Sequence, residues 1–163
     1  MLKKIIKIIL LIIWMGVIFS FSSDSGVESK SKSTNVIVKT HKVITNKELT
    51  TKQKNVLVEK TVYPVRKFAH FFEYLIFGIL VISLVSEYTV LNKKAIIICL
   101  IIYLLYPITD EIHQMFSDER TPKLLDILVD TSGTIVGAHI YLTYKGIIRR
   151  IKDARNKQKK AIS

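Results

Sequence analysis

The chain combines 163 residues and a formal charge of +12 with a net apolar mean hydropathy of +0.32. That length holds one domain. Apolar residues come in blocks and the Lys/Arg lie between them, which is the pattern of a small polytopic membrane protein and argues against an ordinary soluble enzyme. The basic residues are spread over loops and tail without a recognition motif, so nucleic acid is not the expected partner. The single cysteine, Cys99, excludes a disulfide within the chain and a thiol-rich metal site. It reads as a packed or lipid-facing thiol.

The first apolar run covers residues 5–21, preceded or entered by Lys3, Lys4 and Lys7. Its length is at the lower limit for a spanning helix, about 17–25 residues. Ser20-Phe21-Ser22 makes a poor signal-peptide cleavage site, so the run reads as a retained anchor. Residues 22–65 differ in kind. A Ser- and Lys-rich beginning predicts a flexible start, and short apolar clusters (36–38, 43–44, 56–58) predict one or two amphipathic helices on the membrane surface or on the other spans. A lid over a site is the functional reading of this connector, and a solvated linker the plainer one.

Pro64 suits the first turn of a helix, so the second span is placed at about 66–86. Lys67, His70, Tyr74 and Gly78 share one face of it, with Glu73 on or beside that face. Arg66 and Lys67 also suit interfacial anchors, and Tyr74 an aromatic belt. The loop 87–94 leads to a third span at about 95–116. Its last turns carry Asp110, Glu111, His113 and Gln114, and Pro107 is expected to bend the helix just before them. Asp110 and Gln114 share a face. Glu111 is expected to be the weaker candidate, because adjacent helical residues do not both point squarely inward. After the polar turn 117–121, Thr121 is the expected cap and Pro122 the expected first residue of a fourth span at about 122–144. Asp126, Asp130, Gly133 and Gly137 fall on one stripe, and Gly133-x-x-x-Gly137 is a close-packing pattern for membrane helices. His139 reads as packing or a polar contact near the far end. The tail 145–163 carries eight Lys/Arg against one Asp.

The expected fold is therefore all-α: an integral membrane bundle of four transmembrane helices in a single domain, with an extracytoplasmic connector and a basic cytoplasmic tail. Both termini are placed inside the cell. Residues 106–137 hold six of the thirteen acidic residues. Acids within apolar spans are costly and persist where they face a bundle interior, a partner or water. With alternating spans, the polar groups of spans two, three and four fall at one depth near the outer surface. A single cavity accounts for that agreement. Its candidate residues are Lys67, His70, Glu73, Tyr74, Asp110, Glu111, Gln114, Arg120, Asp126 and Asp130, with Arg66 and Lys123 at the rim. Asp110 and Asp126 are candidates to pair with Lys67 and Arg120. Asp118 and Glu119, in the turn, read as solvated.

Three stretches resemble the VanZ-like proteins, a family named for a teicoplanin-resistance protein of Gram-positive bacteria: W-M-G-V-I-F-S-F-S-S from residue 14, V-R-K-F-A-H-F-F-E-Y-L-I-F-G over 65–78, and D-E-I-H-Q-M-F-S-D-E-R-T-P-K-L-L-D-I-L-V-D-T-S-G-T-I-V-G over 110–137. The family pattern Lys-x-x-His-x-x-x-Tyr is met by Lys67, His70 and Tyr74. Asp-Glu-x-x-Gln-x-Phe-x-x-x-Arg is met by Asp110, Glu111, Gln114, Phe116 and Arg120. Asp126, Gly133 and Gly137 meet the third block, where Asp130 replaces the more usual Asn. The resemblance implies a retained first span, a membrane location and, in some members, reduced susceptibility to lipoglycopeptide antibiotics. It supplies no mechanism and no cofactor.

Three main functions remain open at this point, with a proton relay as a minor fourth. A binding or shielding protein would hold a membrane lipid, a lipid-linked cell-wall precursor or a lipoglycopeptide, with Lys67 and Arg120 meeting phosphate. An intramembrane hydrolase or transferase acting on a lipid-linked substrate would use His70, Glu73, Asp110, Glu111 and Asp126 as metal ligands or general base. No HExxH or Gly-x-Ser-x-Gly supports it. In the third reading the polar groups satisfy one another and fix the packing of the spans.

Overall fold

The computed structural model describes residues 1–162, and among these the regular secondary structure is entirely α-helical. Ser163, the end of the expected basic tail, lies outside the described residues. Five helices follow in order: α1 (Leu2–Ser22), α2 (Gly26–Thr45), α3 (Thr51–Tyr88), α4 (Lys93–Gln114) and α5 (Leu124–Ile162). Three of them, α1, α3 and α4, are long and apolar enough to cross a membrane. The fourth candidate span is carried by α5, whose apolar stretch is interrupted by Asp126, Asp130 and His139 and falls outside that set.

Helix α3 is the hub, packing on each of the other four. The contacts fix directions. Lys7 reaches Glu87, and the Trp14 indole N–H donates to the Glu73 carbonyl (2.8 Å), so α1 and α3 are antiparallel. The Tyr106 hydroxyl reaches the Met15 carbonyl and Gln114 reaches Ser22, so α1 and α4 are parallel. Gly133 and Gly137 meet residues 71 and 75, so α3 and α5 are parallel. Direction thus alternates along the chain through α1, α3, α4 and α5. The end of α1, the middle of α3, the end of α4 and the start of α5 gather at one end of the bundle.

The outer faces of α1 and α4 carry rows of exposed aliphatic side chains, among them Ile9, Ile13, Ile97, Ile101 and Leu105. Apolar surface on this scale requires cover by a partner or a membrane. Inside lie Tyr74, Phe77, Val81, Ile82, Cys99 and Tyr103. Cys99 is therefore a packed thiol.

The connector departs from expectation. Its start is not flexible: α2 begins at Gly26 under a capping box, in which the Glu28 N–H donates to Ser25 Oγ and the Ser25 N–H donates to the Glu28 carboxylate. Pro64 does not open a helix but lies inside α3, which runs unbroken for 38 residues from a second capping box at Thr50 and Gln53. At about 1.5 Å per residue such a helix is about 57 Å long, far more than the ~30 Å of a hydrocarbon core. Its first half thus projects beyond the bundle, and α2 folds back on it as an antiparallel hairpin closed by Asn46 in the left-handed conformation (φ 53°). Ile37, Ile44, Leu57 and Val65 face one another across the hairpin. The tail is likewise no separate element; α5 continues through it to Ile162.

The seam between α3 and α5 is built on glycine. A Cβ on Gly78 would strike the Thr134 backbone, one on Gly133 the Phe71 carbonyl, and one on Gly137 the Leu75 carbonyl. Without side chains at these points the two backbones come into direct contact, which is how helices associate where lipid offers no hydrophobic drive. His139, expected in packing, is exposed on the opposite face of α5.

Gly78→Leu and Gly137→Leu should each destabilise the protein in detergent by about 2 kcal/mol or more, because backbone cannot yield as a side chain can. Gly146→Ala, with open space around the added carbon, should be neutral or stabilising by about 0.5–1 kcal/mol. Thermal unfolding followed by circular dichroism separates the two classes, and wild-type stability of Gly137→Leu would exclude the close seam. At the other end of the bundle, Lys7 donates to Glu87 (2.6 Å) and holds its carboxyl below the ordinary value of 4.5. A carboxyl depressed in the folded state stabilises above its unfolded value and loses that contribution as pH falls through the folded one. The stability lost between about pH 6 and about pH 3 should therefore be smaller in Glu87→Gln than in the wild type.

Candidate functional site

At the gathered end of the bundle, four helix segments and one turn converge. Lys67 of α3 forms an ion pair with Asp126 of α5, both side chains being about four-fifths buried (18% and 19% exposed). Asp126 stands in the first turn of α5, where the helix dipole favours a carboxylate. One turn deeper, His70 Nδ1 lies 4.0 Å from Asp130 Oδ1, too far for a hydrogen bond. Gln114 donates through Nε2 to Asp110 (3.0 Å) and to Ser22 Oγ (3.3 Å), tying α4 to the end of α1.

Glu111 corrects the expectation that only one of two adjacent acids turns inward. Asp110 and Glu111 are both buried, at 7% and 4% exposure. They are buried against different partners. Asp110 meets Gln114, whereas Glu111 reaches across to α5 and accepts the Lys123 N–H at 2.5 Å. Helix α5 begins at Leu124, so Thr121 and Pro122 are not its cap and first residue. A carboxylate from the neighbouring helix supplies the acceptor at its start.

The turn 117–123 is bent sharply, with Glu119 in the left-handed region (φ 58°). The Gly26 N–H donates to the Asp118 carbonyl (2.9 Å), and Ser117 Oγ donates to the Ser22 carbonyl (3.2 Å). These bonds lock the turn to the α1–α2 junction. Arg120 is thereby folded inward, and its Nη2 donates to the Phe21 carbonyl at 3.1 Å. Among the described residues Arg120 pairs with no carboxylate, contrary to one of the expected pairings, and Asp110 pairs with no cation. The side chains of Asp118 and Glu119 are exposed, as expected of solvated residues.

Two cavities flank this framework and share Arg66, His70 and Arg120. The first, of about 240 Å³, is walled by Phe21, Val36, Val65 and Ala69, with Glu73 and the Lys32–Asp24 ion pair (2.7 Å) also lining it. The second, of about 100 Å³, is lined by Tyr63, Lys67, Gln114, Lys123, Thr121 and Asp126. Of the ten candidate polar residues, Lys67, His70, Glu73, Gln114, Arg120 and Asp126 line a cavity. Tyr74, Asp110, Glu111 and Asp130 do not; they form a buried layer behind it. Tyr74 is fully buried beside Phe77 and Tyr106. Gly133 and Gly137 set the α3–α5 spacing that brings the layers together.

Several buried polar atoms have no protein hydrogen-bond partner among the described residues: His70 Nδ1, Tyr74 Oη, Glu111 Oε2, Asp130 Oδ1, and Nε and Nη1 of Arg120. Such atoms are uncommon in folded proteins and each calls for a partner such as water or a ligand, or for a strained or chemical role. They also weaken the purely structural reading, in which the polar groups satisfy one another. Burial, and then the neighbouring Arg66, pull the Arg120 guanidinium down from its usual range. Among the described residues no three His, Cys, Asp or Glu side chains are grouped to hold a metal ion, so the metal-dependent enzyme finds no support.

The sequence left the connector as either a lid or a solvated linker and did not single out the residues of α2 that join the site. Ser29, Lys32, Ser33 and Val36 line the first cavity, so the connector is a wall of the site and not a plain linker. The signal was present: Ser25-x-x-Glu28 is a capping box directly after the first apolar run.

The Lys67–Asp126 pair can be tested apart from any ligand. Asp126→Ala should cost about 2 kcal/mol, below the ~3–5 kcal/mol of a fully buried broken pair because both groups retain some exposure. Lys67→Met combined with Asp126→Leu should recover most of that loss. Denaturant unfolding of Lys67→Met, Asp126→Leu and the double variant gives the coupling; strictly additive effects would rule the pair out.

The family profile described as VanZ/LLP1 matches residues 7–148. No curated protein and no solved structure matches the chain significantly. The match takes in α1 to α4, the polar site and the α3–α5 seam, and this membrane protein belongs to the VanZ/LLP1 family.

Proposed function

We propose that the polar end of the bundle is a binding site for a phosphate-bearing lipid or lipid-linked cell-envelope component. The observation that carries this is Arg120: two of its donors are buried without a protein partner where the two cavities meet, and Arg66 lines both cavities beside it. Two neighbouring guanidinium groups repel each other unless an anion lies between them, and Arg is the side chain best suited to clamp phosphate. Lys67 is largely neutralised by Asp126, so the cationic role falls on Arg66 and Arg120. Asp126 and the Gln114 side-chain carbonyl remain to accept from amine or hydroxyl groups of the ligand.

In this reading α1, α3, α4 and α5 all cross the cell membrane, in keeping with their alternating directions. The eight Lys/Arg of residues 145–163 and the three Lys at the start place both termini in the cytoplasm. The site and the α2–α3 hairpin then face outward, in the outer leaflet, where envelope lipids and lipoglycopeptide antibiotics meet. Sequestering or shielding such a lipid would lower susceptibility to teicoplanin-type compounds.

Native mass spectrometry of the protein purified in mild detergent tests the reading. Wild type should retain a phosphate-bearing lipid, and Arg66→Gln with Arg120→Gln should lose it by tenfold or more, in line with about 1.5–3 kcal/mol per charge-assisted hydrogen bond. The same double variant should erase any teicoplanin tolerance that the wild-type chain confers on a host. Unchanged lipid retention in a folded double variant would overturn the proposal.

A further inference from the structure

The two cavities differ in character as well as size, and the difference restricts the ligand. The larger one has an apolar wall of Phe21, Val36, Val65 and Ala69. Phe21 and Ala69 are exposed, so this chamber is open at its apolar wall. The smaller one is polar and carries net positive charge, with Arg66, Arg120 and Lys123 against Glu119 and the internally paired Lys67 and Asp126. Arg66, His70 and Arg120 form the divide. Together the chambers reach only the lower end of the ~300–1,000 Å³ usual for ligand pockets. At about 30 Å³ for each water-sized unit, the polar chamber of about 100 Å³ holds about three of them.

We infer that the site selects a lipid monophosphate with a small headgroup: the phosphate lies at the Arg66–Arg120 divide, the first part of one chain fills the apolar chamber, and the polar chamber admits at most a short amine- or hydroxyl-bearing substituent. This rests on the binding function proposed above and deepens it. A lipid-linked saccharide fits less well: a sugar ring with its hydroxyls exceeds the polar chamber and would have to project from its open side, because the walls are held in place. Lys67 is held by Asp126, Glu111 anchors the start of α5, and the 117–123 turn is tied to Ser22 and Gly26. Free phosphate shares the anionic chemistry but leaves the apolar chamber unused, so the two sources are separable. Lys123 also lines the polar chamber, with its ammonium 6.0 Å from the Tyr63 ring centroid, and serves any anion.

The test uses the full-length protein in detergent, with four probes followed by native mass spectrometry and thermal shift: a polyprenyl monophosphate, a diacyl phosphatidylethanolamine, a polyprenyl diphosphate bearing a disaccharide, and inorganic phosphate. The expected result is binding of the two small-headgroup lipids at least tenfold tighter than either the saccharide-bearing lipid or inorganic phosphate. Val65→Trp, which fills the apolar chamber, should weaken lipid binding by tenfold or more without changing the weak response to inorganic phosphate. Lys123→Gln should weaken both. Equal or tighter binding of the saccharide-bearing lipid would overturn the size limit while leaving a lipid-binding function standing. Inorganic phosphate binding as tightly as the lipids, or Val65→Trp binding them normally, would remove the apolar chamber from the site. Binding of none of the four probes by folded wild-type protein would overturn both this inference and the function on which it rests.

Discussion

The backbone contact between α3 and α5 is the constraint on which the rest of the molecule depends. Gly78, Gly133 and Gly137 let the two helices meet without intervening side chains. In a bilayer the apolar faces of helices gain little from leaving lipid, so close packing has to supply the association energy. The same contact fixes a register. Because the helices run parallel, Lys67 comes level with Asp126 and His70 with Asp130. A side chain at any of the three glycines would push α5 away and open the ion pair. Scaffold and site are therefore not separable here; the seam that holds the bundle also sets the distances in the polar cluster.

A second device fixes the other wall. The end of α1, the turn before α5 and the start of α2 are stitched by backbone-directed bonds from Ser117, Gly26 and Arg120. Glu111 replaces the local cap that α5 lacks. Removing water from so many polar groups is expensive, and a helix start buried without an acceptor would be more so. The arrangement satisfies backbone groups first and leaves side-chain donors of Arg120 and the Nδ1 of His70 unpartnered. With α2 folded across it on the protruding half of α3, the polar cluster is also sheltered from one side.

Much of this was legible in the residues, for a definite reason. Helical period places Lys67, His70, Tyr74 and Gly78 on one stripe of α3, and Asp126, Asp130, Gly133 and Gly137 on one stripe of α5. Alternating directions bring their polar ends together. Partners were not legible, because they depend on rotation and height of one helix against another. Glu111 looked weak when its own helix alone was considered, and became a cap once α5 stood beside it. Pro64 looked like a beginning because proline favours first turns. It lies instead within a helix whose preceding residues already form good turns from the Thr50 capping box onward.

By itself, the sequence determined the class of the protein. Blocks of apolar residues separated by lysines, six of the thirteen acids gathered within residues 106–137 and a Gly-x-x-x-Gly stripe leave few alternatives to a small helical membrane bundle with a polar cluster at one end. Local chemistry suffices for that, since hydropathy and helical period act over a few turns. Only the tertiary structure decided which charges cancel, which side chains line a cavity and which lie behind it. Those outcomes turn on contacts of a few ångströms between segments dozens of residues apart. Lys67 is neutralised and Arg120 is not, Tyr74 is core and Lys32 is wall, because of how closely α3 meets α5 and how tightly the 117–123 turn is drawn onto the end of α1.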